Sequence, residues 1–355
     1  MINFLVTAAG SPGFINVKKS LSACKPELDN YLIHGCDINA DAIGLQLADK
    51  SFITPTGDSD QYISEVYCKN NNIDLIIPCA DEELIPLSKN KSLFADIGCK
   101  ILTSSTKSLE TTLNKAKLFN FCRTHNMQHL VVDHYMCNNI IELRTAYDKL
   151  SSLGHQVCVK PVLAHGSRGF RVIKPPITRE DFFNKKPKSH EITIDVLCEI
   201  LGENEFPDLL VMEYLPGREY SVDCYKRQDQ FLCVPRTREI IKDGLCIVGT
   251  TVKNDKLIKT SKYIYDSLGL SYNANVQFRY DSSGNPKILE VNPRFSGTME
   301  LCRAAGINFV EVAVNDVLSL QNKKYDVKWG IKMTRIWNEI FQNDCQLWTH
   351  NEVYL

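Results

Sequence analysis

The sequence lacks the features by which several classes of protein are recognised. Neither charge is in excess, since 41 lysines and arginines stand against 42 aspartates and glutamates and the net charge is -1. Nucleic acids and anionic membrane surfaces attract basic proteins, so we expect neither as a partner. No apolar run approaches the ~18 residues of a membrane span. The apolar residues 1–9 have no basic segment before them and lead into a glycine-rich turn, so we expect a cytoplasmic protein without a signal peptide.

The 14 cysteines do not include a Cys-x-x-Cys pair. They are scattered through apolar segments, which indicates reduced and mostly buried thiols. Cys122, His125 and His129 have the spacing of one helical face, with a further histidine and cysteine close behind, and could be zinc ligands. The same segment has the pattern of an amphipathic helix over 115–126 followed by an extended stretch, and we favour this structural interpretation.

The first hundred residues alternate between strand and helix patterns. This alternation predicts a parallel sheet covered by helices, and 355 residues suffice for two or three compact units. The turn 10–13 and Asp37 resemble part of a dinucleotide site, but the Gly-x-Gly-x-x-Gly spacing is incomplete. Asp81 follows the third strand at the edge where open sheets bind ligands, although acids also favour a helix N-terminus. The predicted strands are 2–7, 30–36, 73–78 and 99–102.

The middle of the chain has two predicted helices followed by a strand pair. Ser108 is predicted to cap a helix that carries Lys115, and the Asn139-x-x-Glu142 capping box begins the next. Strands at 157–161 and 166–173 are joined by a glycine-rich loop that could bind phosphates, with Lys160 as a point charge. A plain hairpin loop beside a surface lysine is the alternative. The order of residues is not that of a Walker loop.

A hinge is predicted within 209–223. An apolar strand breaks at Pro216-Gly217 and resumes with polar alternation, which is typical of a connection between two lobes. Exposed backbone groups of such a hinge can match the edge of an adenine, and Glu219 could bind ribose hydroxyls.

Polar residues alternate in two later segments. Glu290, Asn292 and Arg294 would share one strand face, which suits a magnesium-bound polyphosphate because Mg²⁺ prefers oxygen ligands and arginine binds phosphoryl oxygens. Arg236 and Arg238 would likewise share a face and could bind a phosphate or a carboxylate. For both segments a solvated strand face is the alternative.

In this order, the motifs resemble the ATP-grasp superfamily and, more narrowly, single-unit relatives of the carbamoyl-phosphate synthetase large chain. The resemblance covers residues 1 to about 337. It implies an α/β (α+β ATP-grasp) fold with an N-terminal parallel-sheet pre-ATP-grasp domain at 1–105. A small lobe with a lid loop at 106–212 and a large lobe with the metal site at 213–355 would clamp ATP. The motifs are 160–161 with 166–169, 212–219, 275–278 and 290–294.

The resemblance also implies the roles of individual residues. The protein would bind ATP together with two Mg²⁺ ions. The carbamoyl-phosphate-synthetase branch has a glutamine at the position of Gln277. The metal ligands would be Gln277, Glu290 and Asn292. The catalytic candidates are Arg294 and Lys160 from the resemblance, with Arg236 and Arg238 added from their shared strand face. The nucleotide-binding residues would be Lys115, Lys160, Gly166, Ser167, Glu213, Tyr214, Leu215 and Glu219. Arg168 is added because the lid has fewer glycines than in many relatives, so that this arginine could itself reach phosphate.

The implied activity is an ATP-dependent carboxylate–amine ligase that works through an acyl phosphate. Its partners would be a small carboxylate and an amine, with a homo-oligomer as a further expectation. A single ATP-grasp unit has no second phosphorylation site, which argues against carbamoyl phosphate synthesis. The alternatives are a non-catalytic ATP-binding regulatory protein and an enzyme that phosphorylates a carboxylate or carbamate in one step.

Overall fold

In the residues that the computed structural model describes, there are three main sheets, two smaller ones and helices packed around them. The part of the chain that it describes comprises 1–24, 28, 30–59, 62–63, 65–163, 168–186, 188–228, 230–320, 323–343, 347–349 and 353–354.

The N-terminal sheet is parallel, as the strand and helix alternation predicts. Its strand order is β3-β2-β1-β4-β5, so the chain reverses its direction of winding beside β1. Ser11 caps α1, where its hydroxyl accepts from Phe14 N, and Pro12 at the first helical position needs no hydrogen-bond acceptor. The elements are β1 Ile2–Val6, α1 Pro12–Ser22, β2 Tyr31–Asp37, α2 Ile43–Leu47, β3 Lys50–Ile53, α3 Glu65–Asn70, β4 Leu75–Ile77, α4 Leu84–Lys89, α5 Lys91–Asp96 and β5 Lys100–Ile101.

A second sheet follows, with the order β6-β10-β7-β8-β9. Asn139 caps α8, and Glu142 accepts from the backbone N–H of Asn138, so the predicted capping box is present with its backbone donor shifted by one residue. The elements are α6 Thr106–Thr112, α7 Lys115–Thr124, a 3-10 turn Gln128–Leu130, β6 His134–Cys137, α8 Ile140–Ser152, β7 Val157–Pro161, β8 Arg171–Ile173, α9 Arg179–Asn184, β9 Glu191–Ile192, α10 Ile194–Leu201 and β10 Leu209–Glu213.

The third sheet is antiparallel, with the order β12-β11-β15-β16, and a three-stranded sheet β13-β14-β17 lies next to it. The elements are β11 Glu219–Arg227, β12 Gln230–Thr237, β13 Ile240–Lys242, β14 Leu245–Thr250, α11 Asp255–Ser267, β15 Asn273–Tyr280, β16 Pro286–Asn292, α12 Glu300–Ala304, α13 Phe309–Val317, β17 Lys332–Thr334, β18 Phe341–Gln342, β19 Leu347–Trp348 and β20 Val353–Tyr354.

One expectation about local structure is wrong, and one strand was not predicted. Ser108 does not cap the helix of Lys115, because the helix breaks at 113–114 and two helices form, the first capped by Ser105 and the second by Asn114. Strand β3, which has a polar and exposed sequence, was not expected. An edge strand needs little apolar character because one of its sides has no neighbour.

The cysteines of the described part of the chain are free thiols in buried positions, as their apolar surroundings predict. Cys122 lies on the buried face of α7, while His125 stacks on Phe121 with ring centroids 3.8 Å apart. Within the described ranges, no three histidine, cysteine or acidic side chains are placed to hold a metal ion. The same ranges contain no helix that is long and apolar enough to cross a membrane.

Candidate functional site

A cavity of about 400 Å³ lies where the N-terminal sheet, the second sheet and the third sheet approach one another. It brings together the sequence-predicted residues of all three regions. Gly166 and Ser167 lie outside the described residues. The predicted residues that line the cavity are Lys115, Lys160, Arg168, Glu213, Tyr214, Leu215, Glu219, Arg236, Arg238, Gln277, Glu290, Asn292 and Arg294.

The N-terminal domain supplies one end of the cavity. Ser11 to Gly13 follow β1, and Cys79 and Asp81 follow β4, so both segments lie at the point where the strand order reverses. Open α/β sheets bind ligands at this point because adjacent loops turn away from each other and leave a crevice. Asp37 does not line the cavity. Its carboxylate accepts hydrogen bonds from the backbone N–H groups of Gly10 and Asn39 and so connects the loops that follow β1 and β2.

The third sheet presents an amide and carboxylate face to the cavity. Gln277 lies opposite Glu290 in the pairing of β15 with β16, and Asn275 lies opposite Asn292. Asn292 Nδ2 donates to Glu290 Oε1 at 3.1 Å, which leaves Asn292 Oδ1 to face elsewhere. Alternation along the two strands therefore places oxygen atoms that can bind a metal ion on one face of the sheet.

Two lysines compensate the charge of Glu290. Burial on its own would raise the pKa of this carboxyl, but Lys115 and Lys160 hold the pKa below its usual value, so Glu290 is ionised at neutral pH. Burial lowers the pKa of the Lys160 ammonium, and Glu290 opposes this shift. Lys160 Nζ also donates to Leu289 O at 3.4 Å, which holds the ammonium beside β16.

The hinge forms the opposite end of the cavity. Strand β10 ends at Glu213 in the second sheet and β11 begins at Glu219 in the third, so the connection between them joins the two lobes. Burial raises the pKa of Glu213, and His155, 3.6 Å away, opposes that shift. Leu215, only 3% exposed, adds an apolar surface.

Glu219 lies within a group of arginines beside the hinge. Arg238 Nε is 2.7 Å from Glu219 Oε1, and Arg279 Nη1 is 3.9 Å from Oε2. Arg279 also stacks over the Tyr214 ring at 4.8 Å and donates to its hydroxyl at 2.9 Å. Sequence reasoning missed Arg279, although its position two residues after Gln277 on β15 places it on the same strand face.

Arg236 is a buried cation rather than part of a solvated face, since it is 1% exposed. Its Nε donates to Asp223 Oδ2 at 2.9 Å and its Nη2 to Ser296 Oγ at 3.1 Å. Its Nη1 has no hydrogen-bond partner among the described residues, and the side chain lines the cavity. An anion in the cavity would supply the missing acceptor.

Arg294 joins the third sheet to the N-terminal domain. Its Nη2 donates to Asp81 Oδ2 at 2.9 Å, and Asp81 is 4% exposed. Removing one member of a mostly buried ion pair destabilises a protein, because the other member loses its compensating charge. The site is therefore assembled from two parts of the chain that are 213 residues apart.

The loop between β7 and β8 approaches the cavity through Arg168 and Phe170. Gly169 has φ +71°, and a Cβ there would lie 2.6 Å from the Pro161 ring. Glycine is required at this position both for the backbone conformation and for the close approach.

Comparisons with known proteins agree with this architecture. Residues 205–338 match the family described as ATP-grasp in the biosynthetic pathway with Ter operon, and residues 7–102 match the PylC-like N-terminal domain. The large chain of carbamoyl phosphate synthase from Clostridium acetobutylicum is 24% identical over 264 residues, which cover 70% of this chain and 23% of that relative. The chain thus spans about a quarter of the curated relative that it matches.

Solved structures extend the likeness in fold to nearly the whole chain. The ADP complex of an N5-carboxyaminoimidazole ribonucleotide synthetase has a TM-score of 0.68 at 12% identity, covering 93% of this chain and 80% of the other. An L-amino acid ligase from Bacillus licheniformis has a TM-score of 0.61 at 14% identity, covering 89% and 74%.

Residues 205–338 are thus similar to an ATP-grasp family, and they follow a parallel-sheet domain that is similar to the PylC-like N-terminal domain. More particularly, the chain is similar in sequence to the carbamoyl phosphate synthase large chain, and over nearly its whole length it has the fold of the solved structures. The resemblance and the fold class predicted from the sequence are confirmed.

Proposed function

We propose that the protein is an ATP-dependent carboxylate–amine ligase that joins an amino acid or a similar small carboxylate to an amine. One observation carries the proposal: a single cavity combines an oxygen-ligand face, two lysines, buried arginines and a hinge suited to adenine. A structural neighbour described as an L-amino acid ligase and another in complex with ADP support the same class of reaction and nucleotide.

The oxygen-ligand face fits magnesium. Gln277, Glu290 and Asn292 contribute a carboxylate and two amides, and the amide nitrogen of Asn292 is already turned towards Glu290. Mg²⁺ takes such hard ligands and keeps phosphate oxygens in its shell. Bound there with the nucleotide, it would neutralise charge on the phosphates during transfer.

In the first step, a carboxylate oxygen of the substrate attacks the γ-phosphorus of ATP. The bond from the γ-phosphorus to the bridging oxygen breaks, ADP leaves with the electron pair, and an acyl phosphate forms. Lys115, Lys160 and Arg294 would neutralise the phosphate oxygens and align them, which is most of the catalysis that phosphoryl transfer requires.

In the second step, the nitrogen of the amine attacks the acyl carbon. A carbon–nitrogen bond forms, the carbon–oxygen bond to phosphate breaks, and the amine gives up a proton. The acyl phosphate must be kept from water during its lifetime. Arg168 and Phe170 line the cavity and would help to shield the intermediate from water.

The substrates would occupy the end of the cavity that the N-terminal domain supplies. Arg236 Nη1, which has no hydrogen-bond partner in the described part of the chain, would bind a carboxylate of the substrate. The two ends of one cavity therefore suit a nucleotide and a small polar substrate.

ADP release tests the proposal. The purified protein should release ADP from MgATP with at least one pair of carboxylate and amine drawn from amino acids and simple amines. Glu290→Gln should lower the rate by about 100-fold or more, because it removes the negative charge of the metal face. Glu199→Gln, an exposed acid on α10, is the matched control and should change nothing.

Two outcomes would contradict the proposal. Full activity of Glu290→Gln would mean that the site lies elsewhere. ATP binding without ADP release across the whole screen would favour a regulatory ATP-binding protein.

A further inference from the structure

A line of four side chains leads from the proposed metal face into the interior. Gln277 Nε2 donates to Asn275 Oδ1 at 3.3 Å, and Asn275 Nδ2 donates to Asp223 Oδ1 at 3.0 Å. Asp223 Oδ2 accepts from Arg236 Nε at 2.9 Å. Asn275, Asp223 and Arg236 are each at most 1% exposed, so water cannot readily substitute for these bonds.

The Asp223–Arg236 pair at the buried end of this line determines how the amide groups of Asn275 and Gln277 are oriented. A carboxylate paired with a guanidinium only accepts hydrogen bonds, so Asn275 must turn its NH₂ group towards Asp223. Its carbonyl oxygen then faces Gln277, and Gln277 must turn its own NH₂ group towards Asn275. The carbonyl oxygen of Gln277, the atom that a metal ion needs, therefore points away from Asn275.

We propose that Asn275 and Asp223 are positioning residues that orient the amide of Gln277 for magnesium. The inference rests on the proposed function, because it assumes a metal ion beside Gln277. Partners of this kind matter for a glutamine ligand in particular, since only one end of an amide can bind a cation. The two oxygens of a carboxylate such as Glu290 are equivalent, and it needs no such orientation.

This difference between amide and carboxylate gives a direct test by a double-mutant cycle. The measurement is the affinity for Mn²⁺ in the presence of ADP, followed by electron paramagnetic resonance, which does not depend on turnover. Asn275→Ala should weaken Mn²⁺ binding by about 10-fold or more, the usual effect of losing a residue that orients a metal ligand. In the Gln277→Glu background, the same substitution should cost less than about 3-fold.

Ser221→Ala is the matched control. Ser221 lies on β11 opposite Gln277, is fully buried, and its hydroxyl has no hydrogen-bond partner in the described part of the chain. This variant should bind Mn²⁺ and ADP as the unmodified protein does. If Asn275→Ala does not fold, as judged by circular dichroism, Asn275→Ser replaces it in both backgrounds.

The outcomes separate this inference from the proposed function. Unchanged Mn²⁺ affinity in Asn275→Ala, or equal losses in both backgrounds, would overturn the positioning role while leaving the metal site in place. Failure of the unmodified protein to bind Mn²⁺ with ADP would overturn the proposed site, and the positioning role with it.

Discussion

At the scale of residues, the site depends on opposite charges that compensate one another where water is largely excluded. Glu290 is ionised because Lys115 and Lys160 outweigh the effect of its burial on its pKa. For Lys160 the effect of burial is larger than that of the neighbouring charge: burial lowers the pKa of its ammonium group, and Glu290 only partly offsets this shift. The phosphates of a nucleotide would add negative charge beside this ammonium and favour its protonated form.

The pH dependence of nucleotide binding follows from this arrangement. Affinity for MgADP should fall as the pH rises through the pKa of Lys160 in the free protein, which lies below the ordinary lysine value of 10.5. Binding on this alkaline limb should take up protons, because the complex favours the ammonium form. Calorimetric titrations between about pH 7 and 10 measure both quantities.

Two variants complete that experiment. Lys160→Met should bind MgADP more weakly at every pH and should lose the alkaline limb. Lys117→Met, an exposed residue on α7, should keep the affinity and the limb of the unmodified protein. An identical limb in Lys160→Met would show that another group titrates.

At the scale of elements, the connection between β10 and β11 decides how the two lobes meet. Gly217 N donates to Tyr280 O at 3.0 Å, and Gly217 O accepts from Arg279 Nε at 3.1 Å. The N–H and the carbonyl group of Gly217 are thus both hydrogen-bonded to residues at the end of β15. Tyr214 and Glu219, which flank this connection, both line the cavity.

Gly217 has no room for a side chain. A Cβ at 217 would lie 2.5 Å from Tyr280 O and 2.8 Å from Tyr280 Cβ, so Gly217→Ala must displace the connection from β15. We expect a loss of about 1 to 3 kcal/mol in stability and weaker MgADP binding. Thermal melts and calorimetric titrations check the two effects. Pro216→Ala, at an exposed neighbouring position, should change both much less, and equal effects would contradict the prediction.

At the scale of the whole molecule, the N-terminal domain and the ATP-grasp unit share a hydrophobic core. One cluster contains Phe4 from β1, Tyr225 from β11, Val234 from β12 and Phe309 from α13. Asn308 adds a polar link, because its Nδ2 donates to Ser20 O at 2.8 Å. A shared core makes separate unfolding of the two parts costly.

We therefore expect one cooperative thermal transition for the N-terminal domain and the ATP-grasp unit. Phe309→Ala should destabilise the protein by about 3 to 5 kcal/mol and move the whole transition to lower temperature, because Phe309 is 2% exposed in the shared cluster. Differential scanning calorimetry measures this shift. Phe182→Ala, at a side chain 67% exposed, is the control. Two separate transitions, only one of them shifted, would contradict the shared core.

Much of the architecture can be predicted from the sequence because it depends on local patterns. Strand and helix alternation predicts the parallel sheet, and the Asn139-x-x-Glu142 pattern predicts the start of α8. The polar strand β3 is different, because only its pairing with β2 makes it a strand. The break at Asn114 likewise was not evident from periodicity, since helical residues continue on both sides of it.

The same division applies to the candidate site. The sequence by itself determined which residues share a strand face, because alternation along β15 and β16 is a property of the extended backbone. It also supplied the ordered motifs on which the family resemblance rests. Only the tertiary structure decided that Asp81 pairs with Arg294, that Arg236 is buried on Asp223, and that Asn275 connects Asp223 to Gln277. The Asp81–Arg294 pair joins residues 213 positions apart, and the other contacts depend on how the strands pair and pack. Burial turns a surface charge into part of a site, and it exists only once the sheets have packed together.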